Sequence, residues 1–164
     1  MEQRLAKLAA REKIEAVLIT SYANRRYFSG FTGSNGTLLL GEGIRLLITD
    51  SRYITQAQEQ APGFTVVEAA DPAEKLKELL QGSTIKSIGF EAEELSYAQY
   101  DKFAQALACE LIPLRDFAKL RAVKDSAEIE KIAAAAQITD QALARLFAKI
   151  EVGMAEVEAV AGAG

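Results

Sequence analysis

The sequence predicts a three-layer α/β domain, a mixed β-sheet flanked by helices on both faces, with a long helix after it. Helix-patterned and strand-patterned segments alternate through roughly the first 115 residues, the order that layers helices over a sheet. Some strand segments are unbroken apolar runs, the pattern of a strand covered on both faces. The helices between them open on capping residues and close on glycine or proline.

Taken in order, Leu5, Leu8, Ala9 and Glu12 trace one face of an opening helix, with Leu5 and Leu8 pointing inward. Ala16-Val17-Leu18-Ile19-Thr20 follows as a short buried strand. Residues 37–40 and 44–49 read as two strands joined through Gly41-Glu42-Gly43 in a hairpin. Asp50 or Ser51 should cap a helix that runs through Gln58 and ends at Pro62-Gly63. Three further strands are expected at 65–68, 87–91 and 111–114. Between the first two, Asp71-Pro72-Ala73-Glu74 supplies an N-cap, a proline at the first helical position and an acid. Leu76, Leu79 and Leu80 then form the stripe, and Gly82 closes it. Ser96-Tyr97-Ala98-Gln99 is a second capping box, with Tyr100, Phe103, Ala104 and Leu107 on one face.

After Leu120 the texture changes. Asp125-Ser126-Ala127-Glu128 caps a helix whose stripe is Ile129, Ile132, Ala136, Leu143, Leu146, Phe147 and Ile150, ending at Val152-Gly153. Asp140 falls on that stripe and needs a partner if the face is buried. A new helical pattern starts at Ala155-Glu156-Val157-Glu158 and stops at Gly164. The division expected is an α/β domain over 1–120 and the opening helices of a truncated second domain over 121–164.

Composition narrows the chemistry. The 19 basic and 23 acidic residues give a net charge of −4, which argues against a general nucleic-acid surface. Arg25-Arg26, the one dense basic cluster, reads as a solvated helix face. No apolar run approaches the length of a membrane span, and Met1-Glu2-Gln3-Arg4 lacks the apolar core of a secretion signal. The single cysteine, Cys109, excludes an intrachain disulfide and suits a reducing cytoplasm. Leu107, Leu111 and Ile112 around it suggest a buried, inert thiol. Histidine is absent altogether, so no Ser-His or Cys-His pair and no imidazole base exists in the chain. Most catalytic zinc sites are excluded with it.

Three places carry possible chemistry. Gly30, Gly33 and Gly36 recur at intervals of three, as a phosphate cradle or as a tight loop needing positive φ. A strand follows this loop where a nucleotide site would need a helix, so the tight loop is favoured; a third reading is a loop shaped to reach a partner surface. Asp50 and Glu91 each end a strand and could bind Mg²⁺. The plainer reading has Asp50 capping the next helix and Glu91 in an acidic loop with Glu93 and Glu94. In Thr49-Asp50-Ser51-Arg52-Tyr53, Arg52 could take a carboxylate bidentately and Tyr53 could donate a hydrogen bond. Equally, Arg52 could pair with Asp50 or Glu42 while Tyr53 packs.

Together these segments resemble the N-terminal part of the creatinase, prolidase and Xaa-Pro aminopeptidase family. The matching residues are Asn24-Arg25-Arg26-Tyr27-Phe28-Ser29-Gly30-Phe31 with Gly33-Ser34 and Gly36, then Thr49-Asp50-Ser51-Arg52-Tyr53 with Gln56-Ala57, and Ile88-Gly89-Phe90-Glu91. Most specific is Leu120-Arg121-Ala122-Val123-Lys124-Asp125 with Glu128-Ile129, Ala135 and Ile138; Val152-Gly153-Met154 with Glu156 continues the likeness.

The resemblance implies an N-terminal mixed sheet of ribonuclease-H-like outline and a C-terminal catalytic domain of pita-bread fold. That second domain would hold two divalent metals, Mn²⁺, Co²⁺ or Zn²⁺, through two Asp, one His and two Glu, and hydrolyse the peptide bond before proline. A chain without histidine cannot supply that set, so this fragment would hold no metal cofactor and no catalytic residue. The resemblance also implies a homodimer in which the N-terminal domain lends a loop to the neighbouring active site and admits only short proline-containing peptides. On that basis Phe31, Thr32, Ser34 and Asn35 are the first candidates for substrate gating, with Arg52 and Tyr53 second. The rivals are a binding module that kept the architecture without the metal ligands, a creatinase-like amidinohydrolase, and a carboxylate enzyme acting on phosphate esters.

Overall fold

A computed structural model describes residues 2–115 and 117–161. Met1 and residues 162–164, on which the ends of the first and last helix readings fall, lie outside the described residues. The chain forms two compact units, Met1–Arg121 and Ala122–Gly164.

In the first unit the elements run α1 (Glu2–Glu12), β1 (Ala16–Ile19), α2 (Tyr22–Ser29), β2 (Thr37–Gly41) and β3 (Ile44–Thr49). After a 3₁₀ turn at Ser51–Tyr53 come α3 (Ile54–Gln60), β4 (Thr65–Glu68), α4 (Pro72–Leu79), β5 (Ser87–Glu91), α5 (Tyr97–Ala106), β6 (Glu110–Leu114) and α6 (Phe117–Leu120). The six strands form one sheet in the order β4-β3-β2-β1-β5-β6. β2 pairs antiparallel with both β1 and β3, while β4, β5 and β6 add in parallel.

The central strands are apolar throughout because both faces are covered. Val17, Ile19, Leu38, Leu40 and Leu47 face one layer with Leu5, Phe28, Ala57 and Phe117. Ala16, Leu18, Leu39 and Ile48 face the other with Leu76, Phe103 and Leu107. Adjacent residues alternate between the two cores, as the two-residue period of a strand requires. Full burial of such a side chain contributes about 1.5–3 kcal/mol. Pro113 is confined to edge strand β6, where its missing donor does least harm to the ladder.

The caps are found where the sequence places them. Asp71 accepts from the Ala73 N–H ahead of Pro72, and Ser96 with Gln99 closes a full capping box. Asp50 is a cap as expected, but of the 3₁₀ turn; α3 begins only at Ile54 and ends at Gln60.

Two expectations are corrected. Arg25 and Arg26 do not share a solvated face: Arg26 is exposed, whereas Arg25 is 2% exposed. Glu91 does not belong to an acidic loop with Glu93 and Glu94, since it is the buried last residue of β5. Cys109 is half-buried, and burial, reinforced by Glu15, pushes its thiol pKa up, which keeps it protonated and unreactive.

In the second unit, α7 (Ser126–Lys149) starts on an Asp125–Glu128 capping box, and α8 (Glu156–Ala161) follows Gly153. The stripe of α7 is exposed except at half-buried Leu146, with Ile129 at 56% and Phe147 at 70%. Asp140 is exposed as well, so it needs no partner.

Candidate functional site

The C-terminal ends of β1 and β5 lie side by side because the strands are parallel neighbours. The chain leaving β1 therefore passes directly over Glu91. The Glu91 carboxylate accepts from the backbone N–H of Thr20 (2.6 Å) and Ser21 (2.9 Å), from Ser21 Oγ (2.5 Å) and from Asn24 Nδ2 (2.6 Å). A charge in this position faces the N-terminus of α2, where unpaired N–H groups favour an anion. Ser21 caps the same helix by accepting from the Asn24 N–H. Glu91 is thus a structural anchor with its lone pairs spent, 2% exposed.

Arg25 points from α2 into the loop that follows it. Its Nη1 donates to the carbonyls of Thr20 (3.0 Å) and Gly36 (2.9 Å), and its Nη2 to that of Gly33 (2.8 Å). Burial lowers its pKa, opposed by the charges of Tyr22 and Glu91. The rings of Tyr22 and Phe31 lie 5.7 and 5.9 Å from its guanidinium carbon, within cation–π range.

This explains the glycine spacing. Only Gly30 has positive φ, +80°, as the left-handed cap of α2. Gly33 and Gly36 serve by close approach. A Cβ on Gly33 would sit 2.2 Å from the Phe31 ring, and one on Gly36 would meet Arg25 Cδ at 3.1 Å and Phe31 at 3.2 Å. The loop is wrapped around a buried ring and a buried cation, so the expectation of positive φ holds for Gly30 and not for the other two.

The outer side of the loop is fastened to the segment after β3. Thr32 donates through N–H (2.8 Å) and Oγ1 (3.0 Å) to Gln60 Oε1, and Gln56 Nε2 donates to Thr32 Oγ1 at 2.9 Å. Ser34 Oγ and the Tyr53 hydroxyl are 2.7 Å apart, and Asn35 Nδ2 donates to Asp50 Oδ2 at 2.7 Å. Thr49 Oγ1 donates to the Asn35 carbonyl. Tyr53 also packs edge-on against Phe31, with ring centroids 6.0 Å apart.

All six residues singled out in the sequence therefore meet in one place. Thr32, Ser34, Asn35 and Arg52 are exposed there, Tyr53 is half-buried, and Phe31 is fully buried as the loop's core. Arg52 places Nε and Nη2 on Asp50 at 2.9 and 2.8 Å, so its fork is already occupied by a carboxylate of its own chain. The Arg52 guanidinium, followed by the Asn35 amide, holds the Asp50 carboxyl well below the usual carboxylate range. Sequence reasoning missed Gln60, the anchor role of Glu91 and the clamp role of Arg25. Nothing in their local pattern marks these roles, because the groups they hold lie from 5 to 71 positions away.

Asp50 and Glu91 do not converge on a metal: Glu91 is filled by N–H and O–H donors, and Asp50 by Arg52 and Asn35. Among the described residues no group of three or more His, Cys, Asp or Glu is gathered to hold a metal ion. No helix among them is long and apolar enough to cross a membrane.

Comparison with known proteins agrees with this architecture. Over 158 residues, 94% of the chain, it is 32% identical to the uncharacterized peptidase YqhT of Bacillus subtilis, covering 45% of that protein. It superposes on an X-Pro aminopeptidase from Thermotoga maritima with a TM-score of 0.86 and 37% identity, covering 99% of this chain and 47% of that one. An Xaa-Pro dipeptidase from Bacillus anthracis gives a TM-score of 0.86 and 32% identity, with 98% and 46% covered. The chain thus spans about half the length of these relatives. Residues 2–123 match the Creatinase/Prolidase N-terminal domain, and with the mixed sheet and the following long helix this shows that the chain belongs to the creatinase/prolidase family and carries its N-terminal domain.

Proposed function

We propose that this chain is the substrate-gating and dimerisation domain of a metal-dependent Xaa-Pro dipeptidase or aminopeptidase of the cytoplasm. The observation that carries the reading is the single polar rim formed by Thr32, Ser34 and Asn35 with Arg52 and Tyr53, built on a loop held by hydrogen bonds within this chain. A preorganised rim excludes long peptides by shape without losing ordering entropy on each encounter. In the homodimer it would border the neighbouring subunit's catalytic site, with Phe31 shaping the loop from within. Residues 1–120 would form this domain, and 121–164 would begin the catalytic one. Two divalent metals, Mn²⁺, Co²⁺ or Zn²⁺, would be held outside this chain and would supply the activated water for hydrolysis of short proline-containing peptides.

The test compares the full-length gene product with the 164-residue chain for Mn²⁺-dependent release of the residue before proline. Activity in the longer protein alone is expected, and Ser34→Ala with Asn35→Ala should let it accept longer peptides. Silence in both proteins, with metal supplied, would point instead to a binding module of the same architecture. An unchanged length preference in the double variant would remove the gating role from this loop.

A further inference from the structure

We propose that Arg25 is the positioning residue of the rim, and that it makes the loop at 30–36 a fixed wall and not a swinging lid. This rests on the reading of that loop as the gating segment.

A seven-residue loop rich in glycine is by default mobile, since glycine loses the most freedom on ordering. Here its inner backbone is tied to one side chain. Arg25 donates to the carbonyls of Gly33 and Gly36 on the loop and to that of Thr20 at the end of β1. The guanidinium thereby links the loop to the central strand of the sheet through a planar, pre-organised fork. Only its Nε–H lacks an acceptor among the buried side-chain atoms of this cluster that belong to Arg25. Phe31 fills the loop from below at 0% exposure, and Gly33 and Gly36 leave no room for either side chain to move outward.

The energetic logic is asymmetric. A lid must open at low cost. Opening this loop would part the buried Arg25 cation from the carbonyls of Gly33 and Gly36 and leave it that of Thr20 alone, and an under-paired buried charge is costly. The surface bonds from Thr32, Ser34 and Asn35 alone would not impose that penalty, because water replaces them at no great loss. Arg25 touches no exposed face of the rim, being 2% exposed, so it acts through the loop and not on a peptide.

The experiment is ¹⁵N relaxation on the 164-residue chain, with Arg25→Lys and Arg25→Gln beside the unaltered protein. In the unaltered protein the amides of residues 32–36 should have order parameters of about 0.85, the level of rigid backbone. In Arg25→Lys they should fall below about 0.6, the flexible range, while β1 and β2 stay rigid; Arg25→Gln should fall at least as far. Loop order unchanged in both variants would overturn the inference. If the variants fail to fold, the unaltered protein still decides: loop values below about 0.6 would rule out a fixed wall. Length selectivity is then measured in the full-length Arg25→Lys protein. A loosened loop with wider peptide acceptance upholds both readings. A loosened loop with unchanged acceptance upholds Arg25 as the positioning residue and sinks the gating function.

Discussion

At the scale of single residues, the decisive feature is which groups lose water. Arg25 and Glu91 are both 2% exposed, yet neither uses the other as a direct partner. Arg25 is held by backbone carbonyls, and Glu91 by two backbone N–H groups with the Ser21 and Asn24 side chains, so the charges fix loop geometry more than they add stability. The glycines divide by the same logic. Gly33→Ala should cost about 1–3 kcal/mol through overpacking against the Phe31 ring, measured by urea unfolding. Gly43, at φ +69° with nothing within 4 Å of a built Cβ, should lose only about 1 kcal/mol as alanine, from backbone strain. Asp50 sets a pH dependence. Its folded pKa lies below the unfolded value of about 3.9, so the contribution of its tether is fully present above that pH. It is lost as the pH falls through the depressed folded value. Titration of the Asp50 carboxyl by NMR should show it still ionised where ordinary carboxylates are protonated, and Arg52→Ala should move its midpoint back up. Since the pair is at the surface, the effect should weaken with added salt.

At the scale of elements, local signals performed well wherever the partner was a neighbour in sequence. The capping box of α5 joins Ser96 and Gln99, three residues apart. Replacing Ser96 with alanine should lower stability by about 1 kcal/mol, and aspartate should restore most of it; denaturant midpoints read both. The start of α3 was less legible. Asp50 is a cap, but what it caps is a 3₁₀ turn closed by the Tyr53 N–H on its own carbonyl, and the sequence pattern has no means of separating that turn from the helix behind it. The apolar stripe of α7 was readable as a stripe, while its exposure was not, because periodicity reports a face and not what covers it.

At the scale of the whole molecule, the sheet carries the fold of the first unit. Leu18 is 1% exposed between the parallel neighbour β5 and the antiparallel neighbour β2, and packs with Leu39, Ile48 and Leu76. Leu18→Ala should therefore cost about 2–5 kcal/mol, as a lower urea midpoint with the slope retained. Ile129→Ala, on the exposed stripe of the second unit, should change stability by no more than about 0.5 kcal/mol in the same experiment. A comparable loss at both positions would contradict the packing described for these units.

The amino-acid sequence by itself determined the six strands in their order, the hairpin at Gly41-Glu42-Gly43 and the helices capped at Asp71, Ser96 and Asp125. Those follow from periodicity, capping and turn chemistry, which act over a few residues and survive in any context that folds. Only the tertiary structure decided what Arg25, Glu91, Gly33 and Gln60 do. A charged residue on a short helix looks solvated until the loop carbonyls of Gly33 and Gly36 close over it. Glu91 looks like one of three acids in a loop until β1 delivers two backbone N–H groups to it from 70 residues away. Burial and hydrogen-bond satisfaction depend on which distant segments share a place, and that is settled by the sheet order, not by local pattern.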